Sequence, residues 1–252
     1  MRVRKLFYGL LVLSLLFATS LGLSGCGYVI DRFTKKPGGE ITEYGKGYRF
    51  DRNGWVYVHI EGEPHERGVQ HGYLVASELE EILRSVKYLT YWNTGKKWEF
   101  FVDAAVRQFA HRIDSEYLDE IKGIAAGAQT AGVDITWQEV LAWCGYEELL
   151  GYWWPNELAG KYAKSDEDHC SGFIATGSAT KDGRIVMAHN SWDGFVFGQF
   201  FNVILDIEPA QGHRMFMQSG SGYIDSMTDF FVTLSSGRPG YPSRRRGRWT
   251  AR

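Results

Sequence analysis

Apolar residues in this chain change their period part-way along, and that change limits the fold more than any other feature. Over residues 73–91 they recur at helical spacing through Leu74, Leu79, Ile82, Leu83, Val86 and Leu89. The same spacing continues over residues 100–131, through Phe101, Val106, Phe109, Ile113, Tyr117, Ile121 and Ile124. Gly132 fits a helix stop, and Thr136-Trp137-Gln138-Glu139 matches a capping box that starts a third helix to about Leu150. Tyr152-Trp153-Trp154-Pro155 closes that region. Beyond Cys170 the pattern becomes that of strands, at 172–179, 184–189, 201–208 and 214–218. The first two join at Lys181-Asp182-Gly183, a strong hairpin signal. One more strand, 55–60, lies before the helices and is broken by Gly62-Glu63-Pro64. The expectation is an α+β fold, with a helical region over 44–169 followed by an antiparallel sheet over 170–237. These residues are about the size of one domain, and no internal repeat is visible.

Both ends stand apart from that body. Arg2, Arg4 and Lys5 precede an apolar run from Leu6 to Leu23, the layout of a secretory signal. The run ends in Leu23-Ser24-Gly25-Cys26, which looks like a bacterial lipobox, with cleavage before a lipidated Cys26. An ordinary signal peptide or membrane anchor with a chance cysteine is the alternative. Acyl chains on Cys26 would hold the protein to a membrane face of the bacterial cell envelope, each buried methylene adding about 0.8 kcal/mol. Residues 26–43, with Lys35-Lys36-Pro37-Gly38-Gly39, then read as a tether. At the other end, residues 238–252 hold six arginines and no acid, and have no apolar period. They read as a disordered tail, or as sequence out of frame after a truncation; an anionic-lipid or nucleic-acid patch is the alternative.

Charge separates the ends from the body again. Residues 26–237 carry 30 acidic against 19 basic residues, a net charge of −11. Phosphate contacts dominate nucleic-acid affinity, so no nucleic-acid partner is expected. Three cysteines do not make a disulfide framework. Cys144 lies on an apolar helical face with Val140 and Leu141 and reads as a core thiol.

Cys170 is different. It opens the run Cys170-Ser171-Gly172-Phe173, directly after His169, and the hairpin leads back to His189-Asn190-Ser191-Trp192-Asp193. A thiol needs a base or a positive field to become a thiolate. His169 is adjacent, and neighbours on a strand point to opposite faces, so it is not an obvious base. Cleavage of the His169–Cys170 bond would place an α-amino group, of pKa about 7.7–8.0, on the same residue as the thiol. Asn190 and a neighbouring backbone N–H are candidates for an oxyanion hole, where one donor is typically worth about 2.7–4 kcal/mol. Asp193 is a candidate to orient the ammonium group or the substrate, and His189 belongs to the same cluster. The alternative is that Cys170 is a small packed strand residue and that His189 and Asn190 are strand-end polar groups.

Three stretches carry a resemblance. The first runs from Gly62 through His65, Arg67, Gly68, Gln70 and His71 to Gly72. The second is Cys170-Ser171-Gly172-Phe173 with Ala188-His189-Asn190-Ser191-Trp192-Asp193. The third runs from Gly222-Tyr223-Ile224-Asp225 to Asp229-Phe230-Phe231, then Ser235-Ser236-Gly237. In this order they resemble the N-terminal-nucleophile (Ntn) hydrolases of the acyl-CoA:6-aminopenicillanate acyltransferase and carcinine-hydrolase group, and the related phospholipase B-like proteins. The resemblance implies an αββα sandwich, self-cleavage at His169–Cys170, Cys170 as nucleophile, and neither metal nor cofactor. Such enzymes continue well past the Asp229-Phe230-Phe231 strand, where this chain has the arginine tail, so an incomplete sandwich is expected.

Three functions remain open on this reading. The first is an envelope-anchored hydrolase or acyltransferase acting on a small-molecule linear amide. The second is a phospholipase B-like hydrolase of lipid esters. The third is a truncated lipoprotein without catalysis. The aromatics Trp153, Trp154, Trp192, Phe195, Phe197, Phe200 and Phe201 suit an acyl pocket, or are ordinary core.

Overall fold

The computed structural model describes residues 40–157, 170–192, 194–226 and 232–234. From Thr42 onward these belong to one compact unit. Cys26, His169 and Asp193, the expected signal, the arginine tail and residues 227–231 of the third stretch lie outside the described residues.

Three strands come first: β1 (Thr42–Tyr44), β2 (Gly47–Arg52) and β3 (Trp55–Gly62). The sheet therefore begins inside the stretch expected to be tether. Asn53 and Gly54 both take positive φ (53° and 83°), making the two-residue turn that matches the twist of β2 and β3. Four main helices follow a first one that docks on the sheet: α1 (Pro64–Leu74), α2 (Ala76–Thr94), α3 (Trp98–Phe109), α4 (Ser115–Thr130) and α5 (Trp137–Cys144). The capping box at Thr136 forms as expected, with the Glu139 N–H donating to Thr136 Oγ1 and the Thr136 N–H to Glu139. A π-helical turn (Glu148–Trp153) and a short α6 (Trp154–Glu157) end the helical part. After them come β4 (Ser171–Gly177), β5 (Gly183–Asn190), α7 (Phe195–Gly198), β6 (Val203–Pro209), β7 (Arg214–Ser219) and β8 (Val232–Leu234).

The fold is α+β, and it corrects the expected order of layers in two ways. Among the described residues, the main sheet runs β1-β2-β3-β6-β7-β8, so both ends of the chain build it. It is also mixed rather than antiparallel: β3 and β6 pair in parallel, with Val56 opposite Val203 and His59 opposite Asp206. The whole helical region is thus one long crossover between two neighbouring strands. β4 and β5 form a separate two-stranded antiparallel hairpin.

Strand alternation gives the main sheet two unlike faces. Val56, Val58, Ile60, Val203, Leu205, Ile207 and Met217 are buried together with Leu74 and Val75 of the helical side. The opposite face carries Tyr48, Phe50, Tyr57 and His59, stacked ring on ring at 4.5–4.9 Å for the nearest pairs. A second apolar cluster lies among α2–α5, centred on Leu79, Ile82, Trp98, Phe101, Ile121 and Ile124.

Helix α1 ties the layers together. Gly68 and Gly72 face Gly123 and Gly127 of α4 so closely that an added Cβ would come within 1.9–2.3 Å of a backbone oxygen at each of the four positions. The flanking Arg67 is buried and donates to Glu120 at 2.7 Å, Glu116 at 3.2 Å and the Gly62 carbonyl at 3.2 Å. Gln70 clasps the backbone of β3: the Glu61 N–H donates to its Oε1 at 3.0 Å, and its amide nitrogen donates to the Glu61 carbonyl at 2.8 Å.

A methyl group at this crossing forces two backbones apart, whereas Gly198 has open space around it. Gly72→Ala and Gly127→Ala are each expected to lose about 3 kcal/mol in chemical denaturation, while Gly198→Ala stays within about 0.5 kcal/mol of wild type.

Candidate functional site

Cys170 sits immediately before β4, at the open end of the β4–β5 hairpin. Its residue is exposed. The Trp192 N–H donates to its Sγ at 3.3 Å, and the thiol lies 3.8 Å from the Trp192 carbonyl oxygen. Ser171 is opposite Asn190 and Gly172 opposite His189. Continuing this alternation puts Cys170 and His189 on one face of the hairpin, and Ser171 and Asn190 on the other. His189 Nδ1 lies 3.1 Å from Ser191 Oγ. The second stretch of the resemblance is therefore assembled around the thiol as far as Trp192. Trp192 supplies the backbone contact that residue types alone do not reveal.

The hairpin is poorly covered. Phe173 and Ile174 are each 57% exposed, Ile185 68% and Trp192 69%. Of the other aromatics singled out in the sequence, Phe197, Phe200 and Phe201 are core, Trp153 and Trp154 pack partly buried against it, and Phe195 is exposed.

The first and third stretches meet each other. His71 of α1 is fully buried and accepts the Gly222 N–H on Nε2 at 3.3 Å. Trp143 Nε1 donates to the Ser221 carbonyl at 3.1 Å, and the Cys144 thiol points at the Gly222 carbonyl at 3.7 Å. Cys144 thus packs against the core, as expected, and burial pushes its thiol up to about 12. Gly222 needs its positive φ of 70° and its lack of a Cβ, which would lie 2.6 Å from Leu79 Cδ1. Arg67, Gly68, Gln70, His71 and Gly72 of the first stretch all serve packing of α1.

A second polar centre was not foreseen from the sequence. On the aromatic face of the main sheet, Asp206 is completely buried. It accepts from Tyr57 Oη at 2.5 Å, from His59 Nδ1 at 3.1 Å and from Arg214, whose Nε is 2.6 Å from Oδ1 and whose second nitrogen contacts Oδ2. Burial alone would raise the Asp206 carboxyl, but the hydrogen bonds from His59, Arg214 and Tyr57 outweigh it and hold it down at about 2. Burial, reinforced by the Asp206 charge, pushes the Tyr57 phenol far above its ordinary value. An ionised carboxylate only accepts, so His59 carries its hydrogen on Nδ1. Glu61 and Glu208 follow two residues along on β3 and β6 and are paired in register. The signal in the sequence is the period-2 recurrence His59, Glu61 and Asp206, Glu208 inside otherwise apolar strands. Among the described residues no helix is long and apolar enough to cross a membrane.

No protein-family model matches the sequence. Over 230 residues the chain is 30% identical to an uncharacterized protein of Archaeoglobus fulgidus. The match takes in 85% of this chain and 36% of that relative, so the chain spans little more than a third of the relative's length.

Burial lowers the pKa of His71 from 6.5 to about 4. Between those values the unfolded chain binds the proton and the folded one does not, so stability falls as pH falls. Chemical denaturation is expected to give about 2–3 kcal/mol less stability at pH 4.5 than at pH 7.5 from this group. The difference between those two pH values should shrink by that amount in His71→Gln.

Proposed function

We propose that this chain belongs to an autoprocessed cysteine hydrolase or acyltransferase of the Ntn type, acting on a linear amide and anchored to the bacterial envelope through Cys26. The α+β layering is read here as part of an αββα sandwich. The observation that carries the reading is the Cys170 thiol at the head of β4, exposed and within 3.3 Å of the Trp192 N–H.

Processing begins with attack of the Cys170 thiol on the His169 carbonyl. The acyl group moves from nitrogen to sulfur, and water hydrolyses the thioester. This leaves a carboxylate on His169 and a free α-amino group on Cys170. In turnover that amine takes the thiol proton as sulfur attacks the substrate carbonyl, and returns it to the leaving amine. Water or an acceptor amine then resolves the acyl-enzyme. The Trp192 N–H is the donor assigned to developing negative charge, Asn190 lying on the other face of the hairpin from Cys170, and Asp193 is assigned to orient the ammonium group. His189 supports the loop through Ser191. The alternation of β5 favours Trp192 over Asn190 as the donor nearest sulfur.

One observation favours a second reading, hydrolysis of acyl esters in the manner of phospholipase B-like proteins. Phe173, Ile174, Ile185, Val186 and Trp192 are exposed along the hairpin that Cys170 heads, and apolar surface on that hairpin suits an acyl chain as well as a peptide-like amide.

Intact mass of the purified wild-type chain beside Cys170→Ala tests the proposal. Two fragments meeting at His169/Cys170 are expected in wild type only. A folded wild-type chain, verified by circular dichroism, that stays uncut overturns it. Assay of the processed protein on paired amide and ester substrates then separates the two bond types.

A further inference from the structure

We propose that His59, Glu61 and Glu208 form a binding site for one divalent transition-metal ion of the zinc or manganese class, bridging strands β3 and β6.

The geometry comes from the parallel pairing. Glu61 is opposite Glu208, and His59 lies two residues before Glu61, so all three project from one face of adjacent strands. One donor atom from each lies within 4.8 Å of the others, and His59 Nε2 is 3.7 Å from Glu61 Oε2. Donors around a single zinc ion, each about 2.0–2.2 Å from it, are roughly 3.3 Å apart in a tetrahedral arrangement. Modest side-chain rotations close the remaining gap, because Glu61 and Glu208 are only partly buried.

The environment of His59 is what makes this more than an acidic surface. Its side chain is only 10% exposed, and Nδ1 is held at 3.1 Å by the buried Asp206 carboxylate. Histidine ligands commonly donate their other ring hydrogen in this way, which fixes the tautomer and aims the free nitrogen. Here the other nitrogen is Nε2, and it lies 3.7 Å from Glu61 Oε2. Asp206 is itself held by Tyr57 and Arg214, so the supporting group cannot swing into the site.

Among the described residues, Lys46 and Arg214 are cations that bear on the cluster. Lys46 Nζ is 3.3 Å from Glu61 Oε1, the oxygen that does not face His59, and its side chain is 65% exposed. It therefore steadies Glu61 and leaves Oε2 for an ion. Arg214 is engaged with both oxygens of Asp206, and it also lies in the field of Glu208. The rival reading of the cluster is direct pairing of His59 Nε2 with Glu61, 3.7 Å apart, with no metal between them.

The donor set selects the ion class. One imidazole with two carboxylates and no thiolate suits zinc or manganese, rather than copper(I) or an all-oxygen calcium site. Three protein ligands leave coordination positions for water or an anionic ligand. The site stands independently of Cys170, although its ligands come from both sides of that residue in the chain.

The test uses the full chain, stripped with a chelator and dialysed. Titration with Zn²⁺ and with Mn²⁺ is followed by calorimetry and thermal melting. One equivalent of at least one ion is expected to bind saturably and to raise the melting temperature. Glu208→Gln and Glu61→Gln should each weaken that binding at least tenfold and abolish the thermal shift. Both should keep the metal-free melting temperature, because these carboxylates are not core. His111→Gln, at an exposed histidine elsewhere, should bind as wild type. No saturable binding of either ion, or binding that Glu208→Gln leaves unchanged, overturns the proposal, the first in favour of direct His59–Glu61 pairing and the second in favour of an adventitious ion.

Discussion

The joining of the helical layer to the sheet depends on how near α1 comes to α4. Four glycines let two helix backbones meet at a distance that no side chain allows. At that distance Arg67 reaches Glu120, while Gln70 and His71 of the same helix reach the backbone of β3 and the amide of Gly222. One helix of 11 residues therefore carries contacts to the sheet, to the helical layer and to the loop after β7. Burial of a charged Arg67 is tolerated because its guanidinium finds two carboxylates and a carbonyl at once. Packing and polar satisfaction are not separate layers of explanation here, since each is possible only because of the other.

The chemistry-bearing groups divide between two unlike settings. The Cys170 thiol is exposed at the open end of a hairpin whose described apolar side chains are themselves largely exposed. The Asp206 cluster is the reverse: aromatic rings stack around it, and both carboxylate oxygens of Asp206 are hydrogen-bonded. A carboxylate held down at about 2 inside an aromatic layer is a fixed negative charge at any ordinary pH. That charge orders His59, whose other nitrogen lies 3.7 Å from Glu61.

Much of the layout was legible where the signal is local. The Thr136 capping box, the stop at Gly132 and the hairpin turn around Asp182-Gly183 all follow from the chemistry of a few consecutive residues, and all are present. Other local signals were overlooked. Asn53-Gly54 is a strong hairpin dipeptide and marks β2, which the apolar pattern alone does not reveal because Asp51 and Arg52 interrupt it. The apolar run over 73–91 was read as one helix, but the chain breaks at Val75, where φ is −118° and α1 gives way to α2. Non-local features were out of reach. Nothing in Val56-Tyr57-Val58 says that its neighbour is Val203-Ile204-Leu205, or that the pairing is parallel. The Asp206 centre was missed for the same reason, since its partners become neighbours only through that register. Cys170 was legible as unusual because a cysteine opening a polar hairpin needs a reason, but its contact with Trp192 is a matter of geometry.

The parallel pairing of β3 with β6 also sets an order in time. His59 and Asp206 are 147 residues apart in the chain, and the sheet cannot close until the later strand exists. The glycine crossing of α1 and α4 needs only residues that are all made well before then. As the chain emerges from a ribosome, the helical layer is able to condense first, with β3 carrying one unpaired edge until β6 arrives. Contacts of such long range are slow to form because loop closure comes before the gain. The strand that pairs with β3 is also the one that brings Asp206, so the polar centre on the aromatic face forms only after the helical layer has been made.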